Sequence, residues 1–372
     1  MRRPTALVLT ACYGSGHIQA AKAIASELNN KGFIPVVSDL FGESYPIFSS
    51  VTQTLLIKSF SYSSFYKWFY YGTNINSKGL AQFSRYLGQK RLQELITKYQ
   101  PQFIISTFPL HAAPYLIKKY RYTIPVYTVI TDYCVHPYWI NPLIDHYFTA
   151  SESVKNKLIH QNINKKQITV SGIPIRPEFE KPIDKTILYK KFRLTPEKKV
   201  ITIIAGTHGV LRNVKELCQL LLRNPNHQIV AICGNNEDLY ESLVSLEYVF
   251  ANLRLFKYIN KIHEIVSISH CLITKPGGIT LAEAAALQIP LILFKPIPGQ
   301  ELENAEYFTE QGAAVISHTI HQTNDYVRML ANDEKINENM KRQLATIHKG
   351  HAVRVMVDFA LNEMKQRTSI SV

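Results

Sequence analysis

The chain is short of acids and has no long apolar run. Of its 372 residues 28 are Asp or Glu against 42 Lys or Arg, a formal net charge of +14, which demands an anionic partner or surface. No uninterrupted apolar stretch approaches the ~18 residues of a membrane span, so the chain is not expected to cross a bilayer. Cysteine is scarce. The five, Cys12, Cys134, Cys218, Cys233 and Cys271, are odd in number and scattered, with no Cys-x-x-Cys, which argues against a disulfide framework and for reduced, buried thiols of a cytosolic protein. There is no Asp-x-Asp at a strand end, no solenoid-length repeat and no low-complexity tract. The basic residues form no dense cluster and no nucleic-acid motif, so nucleic acid is not the expected partner. Met1-Arg2-Arg3 ahead of Leu9-Thr10-Ala11-Cys12 imitates a lipoprotein signal. Its apolar core is too short for an h-region, and cleavage there would remove a strand.

What is present reads as an α/β protein. Hydrophobic residues at 46% and charged residues at 19% mark a globular chain, and its length exceeds what one core usually serves, so two domains are expected. Strand-like runs at 5–11, 33–38, 103–107, 125–130, 144–149 and 167–171 alternate with helical segments. The pattern repeats at 199–204, 228–233, 252–257, 271–274, 290–294 and 313–317. Such alternation predicts parallel sheets. Gly172-Ile173-Pro174-Ile175-Arg176-Pro177 followed by Lys181-Pro182 marks an extended linker, with the hinge near 172–184. The expected domains are 1–176 and 177–345, with a last segment, 346–372, helical by period from His351 to Arg367.

Residues 275–304 are the most informative stretch. Cys271 to Thr274 reads as a buried strand, Gly277-Gly278 as a tight turn and Thr280 to Leu287 as a helix. A helix that starts on bare glycines leaves amides of Gly277, Gly278, Ile279 and Thr280 and a positive dipole end for an anion, a seat for phosphate. Glu283 stands one turn on, and after the strand Pro290 to Phe294 the loop Pro298-Gly299-Gln300-Glu301 adds amide and carboxylate groups. That order suits a nucleotide sugar: diphosphate, ribose, hexose. A second glycine-rich strand exit, Gly14-Ser15-Gly16-His17, precedes an alanine-rich helix from Gln19 to Leu28. His17 is placed where turn meets helix, facing the crevice at the carboxyl ends of parallel strands.

Five blocks carry a resemblance to glycosyltransferase family 28 and the monogalactosyldiacylglycerol synthases, and within them to the processive diacylglycerol β-glucosyltransferases of Gram-positive bacteria. They are Thr10-Ala11-Cys12-Tyr13-Gly14-Ser15-Gly16-His17, Ile130-Thr131-Asp132-Tyr133, Gly172 to Pro177, Ala205-Gly206-Thr207-His208-Gly209-Val210, and Thr274 to Asn304, in matching order from about residue 5 to about residue 345. The resemblance implies a GT-B fold, two Rossmann-like domains facing across a cleft, with a UDP-sugar held by the second. It also implies a C-terminal helix returning to the first. The diphosphate charge falls to the helix start at Gly277-Gly278 and the loop Gly206-Thr207-His208-Gly209, with no essential metal or cofactor. Glu283 is placed on the ribose, backbone at Tyr258-Ile259 on uracil, and Gln300, Glu301 and Asn304 on the hexose. The acceptor base is expected from the first domain: His17 first, since imidazole titrates near neutrality, with Asp132 the runner-up or a group that orients His17. His111 and His136 read as structural. Plant galactolipid synthases carry an Asp where this chain has Ala11-Cys12, so their base does not transfer whole.

The implied reaction is inverting transfer of glucose from UDP-glucose to 1,2-diacylglycerol and then to the glucosyl-diacylglycerol formed, the membrane glycolipid that anchors lipoteichoic acid in the resembling family. The alternatives are a peptidoglycan-precursor N-acetylglucosaminyl transferase, whose loop usually reads Gly-Gly-Thr-Gly-Gly-His, and a UDP-sugar-sensing regulator of membrane or division proteins. Ser44 to Gln93 bears on the acceptor side. These fifty residues hold no Asp or Glu, six cations (Lys58, Lys67, Lys78, Arg85, Lys90 and Arg91) and many rings, among them Phe65, Trp68 and Phe69. Rings beside cations suit an anionic bilayer surface, where each Lys or Arg contributes about 1 kcal/mol. With Gly14, Ser15 and Gly16 they make up the expected acceptor and membrane side, which places the chain on the cytoplasmic face of the membrane as a peripheral protein.

Overall fold

The computed structural model describes residues 3–12, 14–46, 84–206, 211 and 213–370. They form two compact units, Met1–Pro177 with Lys349–Val372, and Glu178–His348. The first holds six parallel strands, β1 (Thr5–Thr10), β2 (Ile34–Asp39), β3 (Phe103–Ser106), β4 (Val126–Val129), β5 (His146–Thr149) and β6 (Ile168–Val170), in the order β2-β1-β3-β4-β5-β6. Side chains alternate across a strand. On β1, Ala6 and Val8 enter one core with Ile24, Leu28 and Phe103, while Leu7 and Leu9 enter another with Leu40, Leu92 and Ile104. The inner strands β3 and β4, buried on both faces, have no polar side to show and read as short apolar runs, while the edge strand β2 is partly exposed and carries Ser38 and Asp39.

The helix Ala352–Ile370 covers the first of these cores with Met356, Val357 and Ala360, all fully buried. Phe359 of the same helix lies 4.0 Å, ring to ring, from His146, whose Nε2 meets Thr169 Oγ1 at 2.9 Å. Burial pushes the His146 pKa down to about 4, so this ring packs as a neutral aromatic. At the rim Lys31 Nζ reaches Asp358 Oδ1 at 2.7 Å. A half-exposed pair of this kind adds at most about 1 kcal/mol, so the apolar contacts hold the helix.

The second unit repeats the plan with β7 (Lys199–Ile204), β8 (His227–Ile232), β9 (Leu253–Phe256), β10 (Cys271–Thr274), β11 (Leu291–Phe294) and β12 (Ala314–Ser317), in the order β12-β11-β10-β7-β8-β9. Every strand-like run of the sequence is a strand, with no end displaced by more than two residues. Each sheet reverses its direction of growth once, between β1 and β3 and between β7 and β10. Ligands of open α/β sheets bind outside the carboxyl ends of the strands at such points.

Ser151, Asp184, Asn236, Thr319 and Asp333 each cap the helix that follows through a side-chain oxygen. The helices that begin after Gly14, Gly277 and Gly299, past the ends of β1, β10 and β11, have no side-chain cap. They also begin earlier than their alanine-rich bodies suggest, at Ser15 and Gly278, so His17 stands inside the first turn. Glycine and serine are poor helix formers, and tertiary contacts override that preference here.

Candidate active site

In the first unit the chain leaves β1 and turns at Gly14, φ 122 and ψ 148, into the helix Ser15–Asn30. A side chain there would strain the backbone although open space surrounds it. The Cys12 amide donates to Asp39 Oδ2 at 3.2 Å, which ties the loop to the end of β2. His17 is half-buried, and its Nδ1 lies 2.8 Å from the Thr107 carbonyl oxygen and 3.0 Å from Thr131 Oγ1. A carbonyl oxygen can only accept, so Nδ1 carries the proton and Nε2 keeps the lone pair. Phe108 meets the ring edge-on at 5.1 Å, and Trp139 lies at 6.2 Å.

Burial pushes the His17 pKa below its ordinary value, while the charge of Asp132 pulls the other way. The ring is therefore neutral at pH 7, as a base must be. Asp132 is buried at 4% exposure. It acts on His17 through its charge, and the hydrogen bonds that orient the ring come from Thr107 and Thr131. Thr131 belongs to one of the blocks that carry the resemblance, which assigns it no role, and Thr107 lies outside them; each sits just past a strand end, β3 and β4, beside the point where the sheet reverses. His111 is buried, with Nε2 on the Tyr138 carbonyl at 2.8 Å and Nδ1 beside Asn141 Nδ2 at 3.0 Å. His136 accepts from the Tyr138 amide at 3.0 Å. Both hold the loop that carries Trp139.

In the second unit β7, β10 and β11 are neighbours, and Gly206, Gly277 and Gly299 follow their carboxyl ends. Gly277 has φ −74 and ψ 134, and a Cβ built there meets nothing within 4 Å. Neither backbone nor packing requires glycine at this position. What it leaves open is the approach to the uncapped amides of Gly278, Ile279 and Thr280 at the helix Gly278–Leu287. Glu283, half-buried, stands on the same helix.

The next helix, Gln300–Glu310, braces this turn from behind. Asn304 is fully buried and donates through Nδ2 to the Pro276 carbonyl at 3.1 Å. Glu301 accepts from the Ile297 amide at 3.1 Å through Oε2, and its Oε1 lies 3.6 Å from Lys275 Nζ. Burial raises the Glu301 pKa, and Lys275 opposes the shift. Asn304 and Glu301 thus hold Lys275, Pro276 and Ile297 in register, and Lys275 is a charged member of the site that the motif reading passed over. Gln300 is half-buried at the head of this helix. Tyr258, about half exposed, and Ile259, packed against the core of Leu188 and Phe192, follow the edge strand β9.

Residues 17–175 match the family model described as monogalactosyldiacylglycerol (MGDG) synthase, and residues 200–355 match the glycosyltransferase family 28 C-terminal domain. The processive diacylglycerol beta-glucosyltransferase of Bacillus licheniformis is 42% identical over 94% of this chain and 93% of its own length. That of Bacillus subtilis is 42% identical over 98% of this chain and 96% of its own. The chain belongs to this family. Its fold class is GT-B, as in the MurG of Acinetobacter baumannii, which matches with a TM-score of 0.66 at 13% identity, covering 96% of this chain and 100% of that one.

For a member of this glucosyltransferase family the remaining question is where lipid is met. Thr207, His208 and Gly209, and Lys58, Phe65, Lys67, Trp68 and Phe69, lie outside the described residues. Arg85 is described: its guanidinium carbon is 5.8 Å from the centre of the Tyr115 ring, and Tyr86, 61% exposed, meets the same ring at 5.7 Å. Lys119 lies over Tyr120 at 5.2 Å, so cations and rings alternate along this surface. Arg91 pairs with Glu43 at 2.7 Å and Glu94 at 3.4 Å, and its charge is already balanced. Among the described residues no helix is long and apolar enough to cross a membrane, and no group of three or more His, Cys, Asp or Glu is placed to hold a metal.

Proposed function

We propose that the chain transfers glucose from UDP-glucose to the free hydroxyl of 1,2-diacylglycerol, and then to the glucosyl-diacylglycerol formed, with His17 as the base. Glycosyl transfer to diacylglycerol, making membrane glycolipid, is the activity of the family to which the chain belongs. The observation that carries the mechanism is the fixed His17 ring, neutral and with its lone pair on Nε2. The acceptor hydroxyl gives its proton to Nε2 as its oxygen bonds to the anomeric carbon, and the bond from that carbon to the β-phosphate oxygen breaks on the opposite side. UDP leaves with the bonding pair. Amides of Gly278, Ile279 and Thr280 receive the diphosphate charge together with the Gly206 loop, and no divalent metal is essential. Glu283 accepts from the ribose, backbone at Tyr258-Ile259 pairs with uracil, and Gln300 with Glu301 holds hexose hydroxyls.

The enzyme works from the cytoplasmic face of an anionic membrane, met by the acid-free segment. The Arg85, Tyr86 and Tyr115 cluster supports this docking surface. Binding to vesicles should rise with anionic lipid and fall with salt, since the attraction is screened within about 8 Å at physiological ionic strength. Changing Lys58, Lys67 and Arg85 together to glutamate should release the protein from such vesicles, at about 1 kcal/mol per charge removed, and depress activity on lipid while UDP affinity holds. Co-sedimentation checks the first effect and calorimetry the second. Equal binding to neutral and anionic vesicles at every salt concentration would contradict the electrostatic docking.

A further inference from the structure

We infer that Thr131 is a positioning residue for the base: with the Thr107 carbonyl it holds the His17 imidazole as the Nδ1–H tautomer, and its hydroxyl supports the charge the ring acquires when Nε2 takes the acceptor proton. This rests on the reading of His17 as the base.

The geometry comes from three strand ends. Thr107, after β3, donates from Oγ1 to the His17 backbone carbonyl at 3.0 Å and lies 3.1 Å from Thr10 Oγ1, while its own carbonyl takes the ring proton at 2.8 Å. Ring and helix turn are thus gripped by one residue. Thr131, after β4 and 3% exposed, offers Oγ1 to the same Nδ1 at 3.0 Å. A β-branched side chain has few rotamers, so this second acceptor is stiffly held.

The alternative tautomer is disfavoured by the Thr107 distance, since the Thr131 hydroxyl can meet Nδ1 in either form. With the proton on Nε2, the Nδ1 lone pair would face the Thr107 carbonyl at 2.8 Å, oxygen against nitrogen with no hydrogen between. Two neutral oxygens, rather than a bonded carboxylate, therefore stand behind this base. Asp132 is the charged group that acts on the ring, through space. An acceptor on Nδ1 favours the charged ring over the neutral one, so removing it should move the His17 titration to lower pH.

Thr131→Val keeps the shape and removes the hydroxyl; Thr131→Ser keeps the hydroxyl. In the full chain labelled with 15N, the His17 ring signals, identified by their loss in His17→Ala, should show the Nδ1–H tautomer at pH 7.5. Thr131→Val should lower the His17 pKa by roughly 0.5 to 1 unit and kcat by about five- to tenfold, the worth of one ordinary hydrogen bond, with the KM for UDP-glucose unchanged. Thr131→Ser should return both to within about twofold. UDP binding by each variant confirms that it is folded. An Nε2–H tautomer in the unmodified protein would overturn the inference, as would a Thr131→Val variant with unaltered pKa and kcat, or a serine variant that restores neither. If His17→Ala still transfers glucose, the base assignment falls, and the ring spectra still decide whether Thr131 sets the tautomer.

Discussion

His17→Ala is expected to lower kcat by about 10²- to 10⁴-fold, the span over which a positioned general base contributes, while UDP-glucose binds as before. The donor groups belong to the other unit, and His17 is held by Thr107 and Thr131 of its own. The pH profile supplies an independent reading. Burial lowers the His17 pKa, so the base is unprotonated at neutral pH, and activity should fall only as pH drops through a value below the ordinary ~6.5. An acid limb above that value would mean that the ring is stabilised in its charged form, contrary to its surroundings. Should Asp132→Asn prove inactive and His17→Ala nearly normal, the roles of the two residues are reversed.

The second large effect concerns the donor. Glu283→Ala should weaken UDP binding by about 1.5 to 3 kcal/mol, roughly 10- to 150-fold in Kd, as for hydrogen bonds to a charged group. Gly277→Ala tests the same site from the phosphate side. With φ −74 and no atom within 4 Å of the added Cβ, the fold should absorb the change at a cost within about 0.5 kcal/mol. If the diphosphate is seated at this helix start, the added methyl group takes part of its space, and UDP affinity should drop at least about tenfold, roughly 1.4 kcal/mol. Thermal unfolding and calorimetry separate the two quantities. Unaltered UDP affinity in both variants would move the diphosphate away from this helix.

The strands and their order of appearance were legible because both sheets are parallel and most strands have buried apolar centres, so short apolar runs recur between helical segments; the edge strand Ile34–Asp39 and the strands that carry His227, Gln228 and Arg254 depart from that pattern. The glycine turns at Gly14 and Gly277 could be read for the same reason: they interrupt that pattern where a strand hands over to a helix. Neighbours across a sheet could not. His17 and Thr107 are 90 residues apart in sequence, and His17 and Thr131 are 114 apart, and they meet only because β1, β3 and β4 stand side by side. A threonine at a strand end is too common to signal a role. The bracing of the donor turn was hidden in a similar way, since nothing in the sequence shows that the side chains of Asn304 and Glu301, expected at the hexose, also meet the Pro276 carbonyl, the Ile297 amide and Lys275. The two early helix starts were missed because Gly-Ser-Gly and Gly-Gly have little helical preference of their own.

Separation of lipids after incubation with diacylglycerol in anionic vesicles and labelled UDP-hexoses tests the central claim most directly. Label from UDP-glucose should appear first in a monoglucosyl-diacylglycerol and later in species carrying further glucose, with the same yield when EDTA is present, and its rate of appearance should fall by about 10²- to 10⁴-fold with His17→Ala. Label that enters the lipid only from UDP-N-acetylglucosamine or UDP-galactose, or a protein that binds UDP-glucose and leaves diacylglycerol unmodified, would contradict the account.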